Sequence, residues 1–152
     1  MGYVLSPDRR RVLMIHRNRR PSDYHAGKYN GLGGKLNADE DVSECMRREI
    51  REESGIECTS MRLRGVINWF GFGEHSESWL GFVYVVDGYQ GEPRSASEEG
   101  TLEWIDLGKL NSLTMWDGAQ KFLPMVFDKD PHVFYGVMPY RNGQCQSWAF
   151  SR

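Results

Sequence analysis

Residues 34–56 read GKLNADEDVSECMRREIREESGI, and the placement of charge in this stretch decides how the chain is read. Val42, Met46 and Ile50 recur every four residues, the spacing of one apolar stripe on a helix. Asp39 stands where an N-cap is expected, and Ser54-Gly55 supplies a stop. With Val42 at zero and a helical step of about 100°, Met46 falls at about 40° and Ile50 at about 80°. On the same wheel Glu53 lies at about 20°, Glu49 at about −20° and Glu52 at about −80°. Two carboxylates therefore sit within or beside the apolar face, and the third flanks it. Ionised carboxylates facing a core are costly unless paired or bound to a cation. Three close together also raise one another's pKa. A hard divalent cation relieves both problems, because Mg²⁺ prefers carboxylate and water oxygens. Arg47, Arg51 and Glu44 fall on the far side and read as an ordinary solvated face. The competing reading is a surface helix laced by i,i+4 pairs, with Glu44–Arg48 as one. The inward carboxylates weigh against it.

The rest of the chain is consistent with one domain spanning 1–152. Its 152 residues are 39% hydrophobic and 26% charged, which is enough apolar material for a core. A net charge of −2 argues against a protein that grips extended nucleic acid by neutralising phosphates. It leaves room for a small nucleotide. Cys45, Cys58 and Cys145 are scattered with no C-x-x-C, which points to reduced thiols and a cytoplasmic protein. Cys45 beside the apolar stripe reads as a small core residue. No run reaches transmembrane length and no signal peptide is visible, so no membrane partner is expected.

Tyr3–Leu5 and Val12–His16, joined by Ser6-Pro7-Asp8, read as adjacent strands, the first of them truncated. Asn18 to Lys28 is a polar loop, with Arg17, Arg19 and Arg20 at its start. Tyr29–Leu32 reads as a short strand leading into Gly33-Gly34. Met61–Phe70 and Trp79–Val86 read as a hairpin, the second strand central, and Leu102–Ile105 as a further strand. Asp117–Phe127 reads as a helix burying Ala119, Phe122, Leu123 and Val126, with Pro124 a kink or late boundary. Val133–Tyr140 and Ser147–Phe150 flank Arg141-Asn142-Gly143, and Asn-Gly is a strong hairpin signal. The sum is an α/β (α+β) chain with a mixed sheet and two helices.

The opening stretch also satisfies G-x5-E-x7-R-E-U-x-E-E-x-G-U, where U is a bulky aliphatic. The matches are Gly34, Glu40, Arg48, Glu49, Ile50, Glu52, Glu53, Gly55 and Ile56. That pattern is the Nudix box, so the chain resembles the Nudix hydrolases. The resemblance implies an αβα sandwich, with the box as a loop–helix–loop at one edge of the sheet. It implies hydrolysis of a nucleoside diphosphate linked to another group, with Mg²⁺ as cofactor and Mn²⁺ as an alternative. Glu52 and Glu53 are then the main metal ligands, and Glu49 is a further ligand or the general base. The Gly33 carbonyl adds a metal contact, Arg48 orients the glutamates, and Glu40 supports Arg48. Glu99 is a loop ligand or base, with Glu98 as its alternative. Gly31-Leu32-Gly33-Gly34-Lys35 is not a phosphate loop, because Leu36 stands where Ser or Thr is needed.

Outside the box three segments resemble the MutT-like hydrolases of oxidised purine nucleotides. They are Gly27–Lys35, Glu98–Trp104 and Met115–Gly118. The resemblance puts Asn30 in a base-binding position, where its amide offers both donor and acceptor. Trp116 or Tyr29 could stack on a base, Asp117 could bond it, and Lys35 and Arg17 could contact phosphate. The plainer readings make Trp116 a core anchor and Asp117 a helix N-cap. The mammalian members carry an acidic pair in the third segment, whereas here Asp117 is followed by Gly118 and Ala119. The expected reaction converts an oxidised purine nucleoside triphosphate to monophosphate and pyrophosphate, by a monomer or dimer acting on a small-molecule substrate. The alternatives are ADP-ribose, a dinucleoside polyphosphate or a 5′-triphosphate RNA end, and a non-catalytic binding module.

Overall fold

Successive residues of the inner strands point to opposite faces of one sheet, and both faces are apolar. In the computed structural model, which describes residues 1–152, strand β1 (Gly2–Leu5) sends Tyr3 and Leu5 into one core cluster and Val4 into another. Strand β2 (Arg11–His16) divides Val12 and Met14 from Leu13 and Ile15 in the same way. The chain continues through β3 (Tyr29–Asn30), helix α1 (Val42–Ser54), β4 (Glu57–Phe72), β5 (Glu77–Gln90) and β6 (Thr101–Asp106). It closes with helix α2 (Asp117–Phe127), β7 (Phe134–Arg141), β8 (Gln144–Cys145) and β9 (Ala149–Ser151). A single 3-10 segment, Leu107–Ser112, was not foreseen.

Met46 and Ile50 of α1 pack on Val4, Leu13, Tyr84 and Val86, while Phe122, Leu123 and Val126 of α2 pack in the opposite cluster. The architecture is thus the αβα sandwich. Helix α1 lies across the face formed by β1, β2 and β5 and not at an edge, because its apolar stripe needs several strands to cover it. The sheet is mixed: β5 pairs β1 in parallel and β4 antiparallel, and β4 pairs β7 in parallel. The central place expected of the second hairpin strand is therefore taken by β5. Strand β6 runs along all of β2, while β1 and β3 take successive pieces of β2.

Several boundaries differ from expectation. The N-cap of α1 is Asp41, not Asp39. Its carboxylate accepts from Ser43 and Glu44 N–H, and Glu44 accepts from the Asp41 N–H at 2.9 Å. That reciprocal capping box engages Glu44, so the Glu44–Arg48 pair does not form. Gly55 ends the helix at φ +79°, as Ser54-Gly55 suggested. The strand expected over Tyr29–Leu32 stops at Asn30, and Leu32 is held instead by backbone bonds to Gly2. The Asn142-Gly143 turn joins β7 to β8, and after a break β9 pairs further down β7. Arg47 reaches back to the Cys58 carbonyl at 2.6 Å, so this part of the outer face is structural.

Pro124 lies inside α2, and the helix end is secured by a buried arginine that sequence reading passed over. The Arg64 guanidinium, 2% exposed, donates to the carbonyls of Val126 (3.0 Å) and Met125 (3.1 Å) and to the Asp128 carboxylate (2.9 Å). These are carbonyls that a helix C-terminus leaves without partners. Arg64→Met should therefore cost about 3 kcal/mol, because it strands buried acceptors. The expected readout is a lower urea midpoint at unchanged slope. A midpoint equal to wild type would show that the carbonyls find other donors.

Candidate functional site

The loop between β3 and α1 presses its backbone onto the helix, and this contact builds the box. A Cβ at Gly34 would fall on the Glu49 carboxylate, and one at Gly33 would meet Met46 Cε at 2.8 Å. Gly33 also sits at φ +132°, a conformation that side chains strain. Its N–H donates to Glu53 Oε2 at 2.8 Å. No arginine or lysine pairs with Glu53. Burial pushes its pKa up to about 8, and the neighbouring Glu99 and Glu49 charges add to this. The Gly33 N–H and Arg17 act in the opposite direction.

The other box carboxylates are gathered by Arg48. It bonds Glu40 with both sides of its fork, at 2.9 and 2.6 Å, and reaches Glu49 at 2.7 Å and Glu52 at 3.2 Å. The Arg48 bonds hold Glu40 down at about 2. The pairing expected between Glu40 and Arg48 is present, and it fixes the guanidinium from which Glu49 and Glu52 are held. Across the site Arg17 bonds Asp23 at 2.6 Å and also bonds Glu99. Glu98 turns outward, 91% exposed, and pairs with Arg20. Of the two loop glutamates, only Glu99 faces the box.

These donors suit a hard cation, being carboxylate oxygens, one of them half-buried and without a basic partner. No three His, Cys, Asp or Glu side chains are clustered to hold a metal ion, because Arg48 and Arg17 draw Glu49, Glu52 and Glu99 to themselves. The residues able to hold one are Glu49, Glu52, Glu53, Glu99 and the Gly33 carbonyl. Of these, Glu49, Glu52 and Glu99 must exchange arginine for metal.

A cavity of about 760 Å³ opens beside Gly33-Gly34, within the size range of small-molecule sites. Arg17, Asn30, Lys35 and Trp116 line it. The Asn30 carboxamide makes no bond to protein, whereas Lys35 lies over the Trp79 ring, 4.8 Å from its centroid. Asp117 is not in the wall. Its Oδ1 accepts from Gly118 N–H and its Oδ2 from Cys145 N–H, each at 2.9 Å, so it ties α2 to β8. Neither is it the N-cap, a position held by Trp116. The Trp116 ring is packed within the protein: Tyr24 stacks on it at 4.9 Å and the Lys28 ammonium lies 4.4 Å from its centroid. Tyr29 is likewise stacked on His16 at 4.3 Å. Sequence reading missed Tyr24, His25, Phe72 and Tyr140 in this wall. The only local signal was an adjacent Tyr-His pair in an otherwise polar loop.

Comparison with known proteins agrees with this geometry. The NUDIX domain profile matches residues 1–126. A Bacillus subtilis (strain 168) protein named uncharacterized Nudix hydrolase YvcI is 33% identical over 132 residues, covering 86% of this chain and 79% of its own. An oxidized purine nucleoside triphosphate hydrolase of Danio rerio is 32% identical over 125 residues, covering 82% and 77%. The crystal structure of a MutT protein from Bacillus halodurans superposes with a TM-score of 0.85 at 27% identity, covering 99% of this chain and 94% of the other. The chain belongs to the Nudix hydrolases and is MutT-like.

The raised pKa of Glu53 makes metal-free stability depend on pH. The folded state holds the proton more tightly than the unfolded chain. This stabilising contribution is full below the unfolded value of 4.5 and is lost as pH rises through about 8. In chelator, the Tm of wild type should fall across this window relative to that of Glu53→Gln, the comparison cancelling the opposite contribution of the N-terminal amine, whose pKa burial lowers to about 6. Adding Mg²⁺ should raise the wild-type Tm more at the alkaline end than at the acid end. A Mg²⁺ effect equal at both ends would remove Glu53 from the site.

Proposed function

We propose that this protein hydrolyses an oxidised purine nucleoside triphosphate, of the 8-oxo-dGTP kind, to the monophosphate and pyrophosphate. The observation that carries the proposal is adjacency. A cavity of about 760 Å³ with a free Asn30 carboxamide in its wall opens directly beside the Gly33-Gly34 backbone, behind which the box carboxylates lie. The hydrolase of Danio rerio and the MutT protein of Bacillus halodurans support the same direction. We read residues 1–152 as one catalytic domain acting on a small nucleotide. Its three unpaired thiols suit a reducing compartment such as the cytoplasm. No helix is long and apolar enough to cross a membrane.

Divalent metal, Mg²⁺ or Mn²⁺, would neutralise the phosphates and acidify water when bound. The protein's own part is positional. Glu52 and Glu53 would hold the cation, and Glu49 would be a further ligand or the base that takes the proton of the attacking water. Arg48 fixes the carboxylates at the separation its fork dictates. Arg17 and Lys35, at the cavity mouth, turn toward phosphate, and a phosphate that engages Arg17 frees Glu99. Asn30 bonds the purine edge with donor and acceptor together.

A panel of nucleotides with Mg²⁺ tests the reading. The expected result is kcat/KM for 8-oxo-dGTP at least about tenfold above dGTP, a difference of about 1.4 kcal/mol. Glu53→Gln should lower kcat roughly 10³-fold, the scale of a lost electrostatic stabiliser. Equal rates on the two nucleotides would remove the oxidised-purine assignment. Full activity in Glu53→Gln would remove the metal assignment.

A further inference from the structure

The polar loop between β2 and β3 holds a histidine with its tautomer fixed. The indole N–H of Trp116 meets His25 Nδ1 at 2.8 Å. An indole nitrogen only donates, so Nδ1 must accept, and in the neutral ring the proton resides on Nε2. Burial, with the Arg17 and Lys28 charges beside it, keeps the His25 pKa below its ordinary value against the pull of Asp23. The ring lines the cavity, and Nε2 bonds no protein group. No buried side-chain nitrogen in the chain lacks a partner, so that atom is not sealed in protein.

The ring is also held in place. Its backbone N–H donates to Asp23 Oδ1 at 3.0 Å, and Asp23 Oδ2 accepts from Arg17 at 2.6 Å. Tyr24, edge-on to His25, stacks on Trp116. A donor with fixed tautomer and fixed backbone is preorganised for recognition.

We propose that His25 is a specificity-determining residue whose Nε2–H donates to a carbonyl oxygen of the purine, so that the cavity takes keto purines. This rests on reading the cavity as the base pocket. A base presenting an amino group at the same point sets donor against donor and leaves both unpaired, which costs affinity. Trp116 acts through His25 as a positioning residue, in place of the stacking role its type suggested.

Binding of the monophosphates 8-oxo-dGMP and dAMP, measured calorimetrically, separates this from the hydrolysis reading. Wild type should prefer 8-oxo-dGMP. His25→Asn keeps an acceptor for Trp116 but has no donor at the Nε2 position, and should weaken 8-oxo-dGMP about tenfold while strengthening dAMP, because the donor–donor clash is gone. His25→Gln keeps the donor and should retain most of the preference. In wild type, ¹⁵N shifts of the imidazole should report Nδ1 bare and Nε2 protonated. A His25→Asn variant with wild-type preference, or a ring protonated at Nδ1, overturns the proposal. A protein that shows the preference and its loss in His25→Asn, yet turns over no triphosphate, supports the donor assignment and contradicts only the reaction.

Discussion

A half-buried carboxylate, with one backbone N–H as its partner, is the constraint around which this molecule is organised. Glu53 sits under Gly33 with no basic side chain to neutralise it. The backbone must approach α1 closely for this to happen, which requires glycine at 33, where φ is +132° and a Cβ would meet Met46 and the Met1 backbone. The helix must in turn be fixed in rotation, and Met46 and Ile50 on the sheet do that. The Asp41 capping box and Gly55 fix its ends. Burying an unpaired charge costs stability, and a cation at the same place converts that cost into affinity. Such strain has a purpose only if the site is meant to be filled.

Arginine stands in for cation charge elsewhere in the site. Arg48 holds Glu40, Glu49 and Glu52, and Arg17 holds Glu99. The two arginines differ in role because their partners differ. Arg48 is clamped bidentately by Glu40, which is no candidate ligand, and so stays in place when Glu49 and Glu52 move. Arg17 lines the cavity and is shared between Asp23 and Glu99, so it is the one a phosphate can recruit. Asp23 also bonds the His25 backbone, which links Arg17 to His25 through one carboxylate.

The helix, its inward glutamates and the hairpins were legible because each rests on local periodicity or turn chemistry. The 3.6-residue stripe of α1 and the Asn142-Gly143 turn are signals of that kind. The cap was misplaced by two residues because Asp39 and Asp41 are equally suitable by type, and only Glu44 three residues after Asp41 separates them. Arg64 was not legible: nothing in its neighbours says that the carbonyls of a helix sixty residues later need a donor. The cavity wall was not legible for the same reason. Trp116 and Asp117 were read as contacts with a base by type. Their partners Tyr24, Lys28, His25 and Cys145 come from distant segments and had already taken the faces and oxygens in question. Asn30, by contrast, lines the cavity with its amide unbonded to protein.

Manganese titrated into ¹⁵N-labelled protein tests the central claim most directly, because its unpaired electrons broaden nearby amide signals. At substoichiometric Mn²⁺ the amides of Gly33, Gly34, Glu53 and Glu99 should broaden first, and those of Asp117 and Gly118 should stay sharp. Broadening that begins at another cluster of acidic residues, or that is unchanged in Glu53→Gln, would contradict the assignment of the buried carboxylate as the seat of the metal.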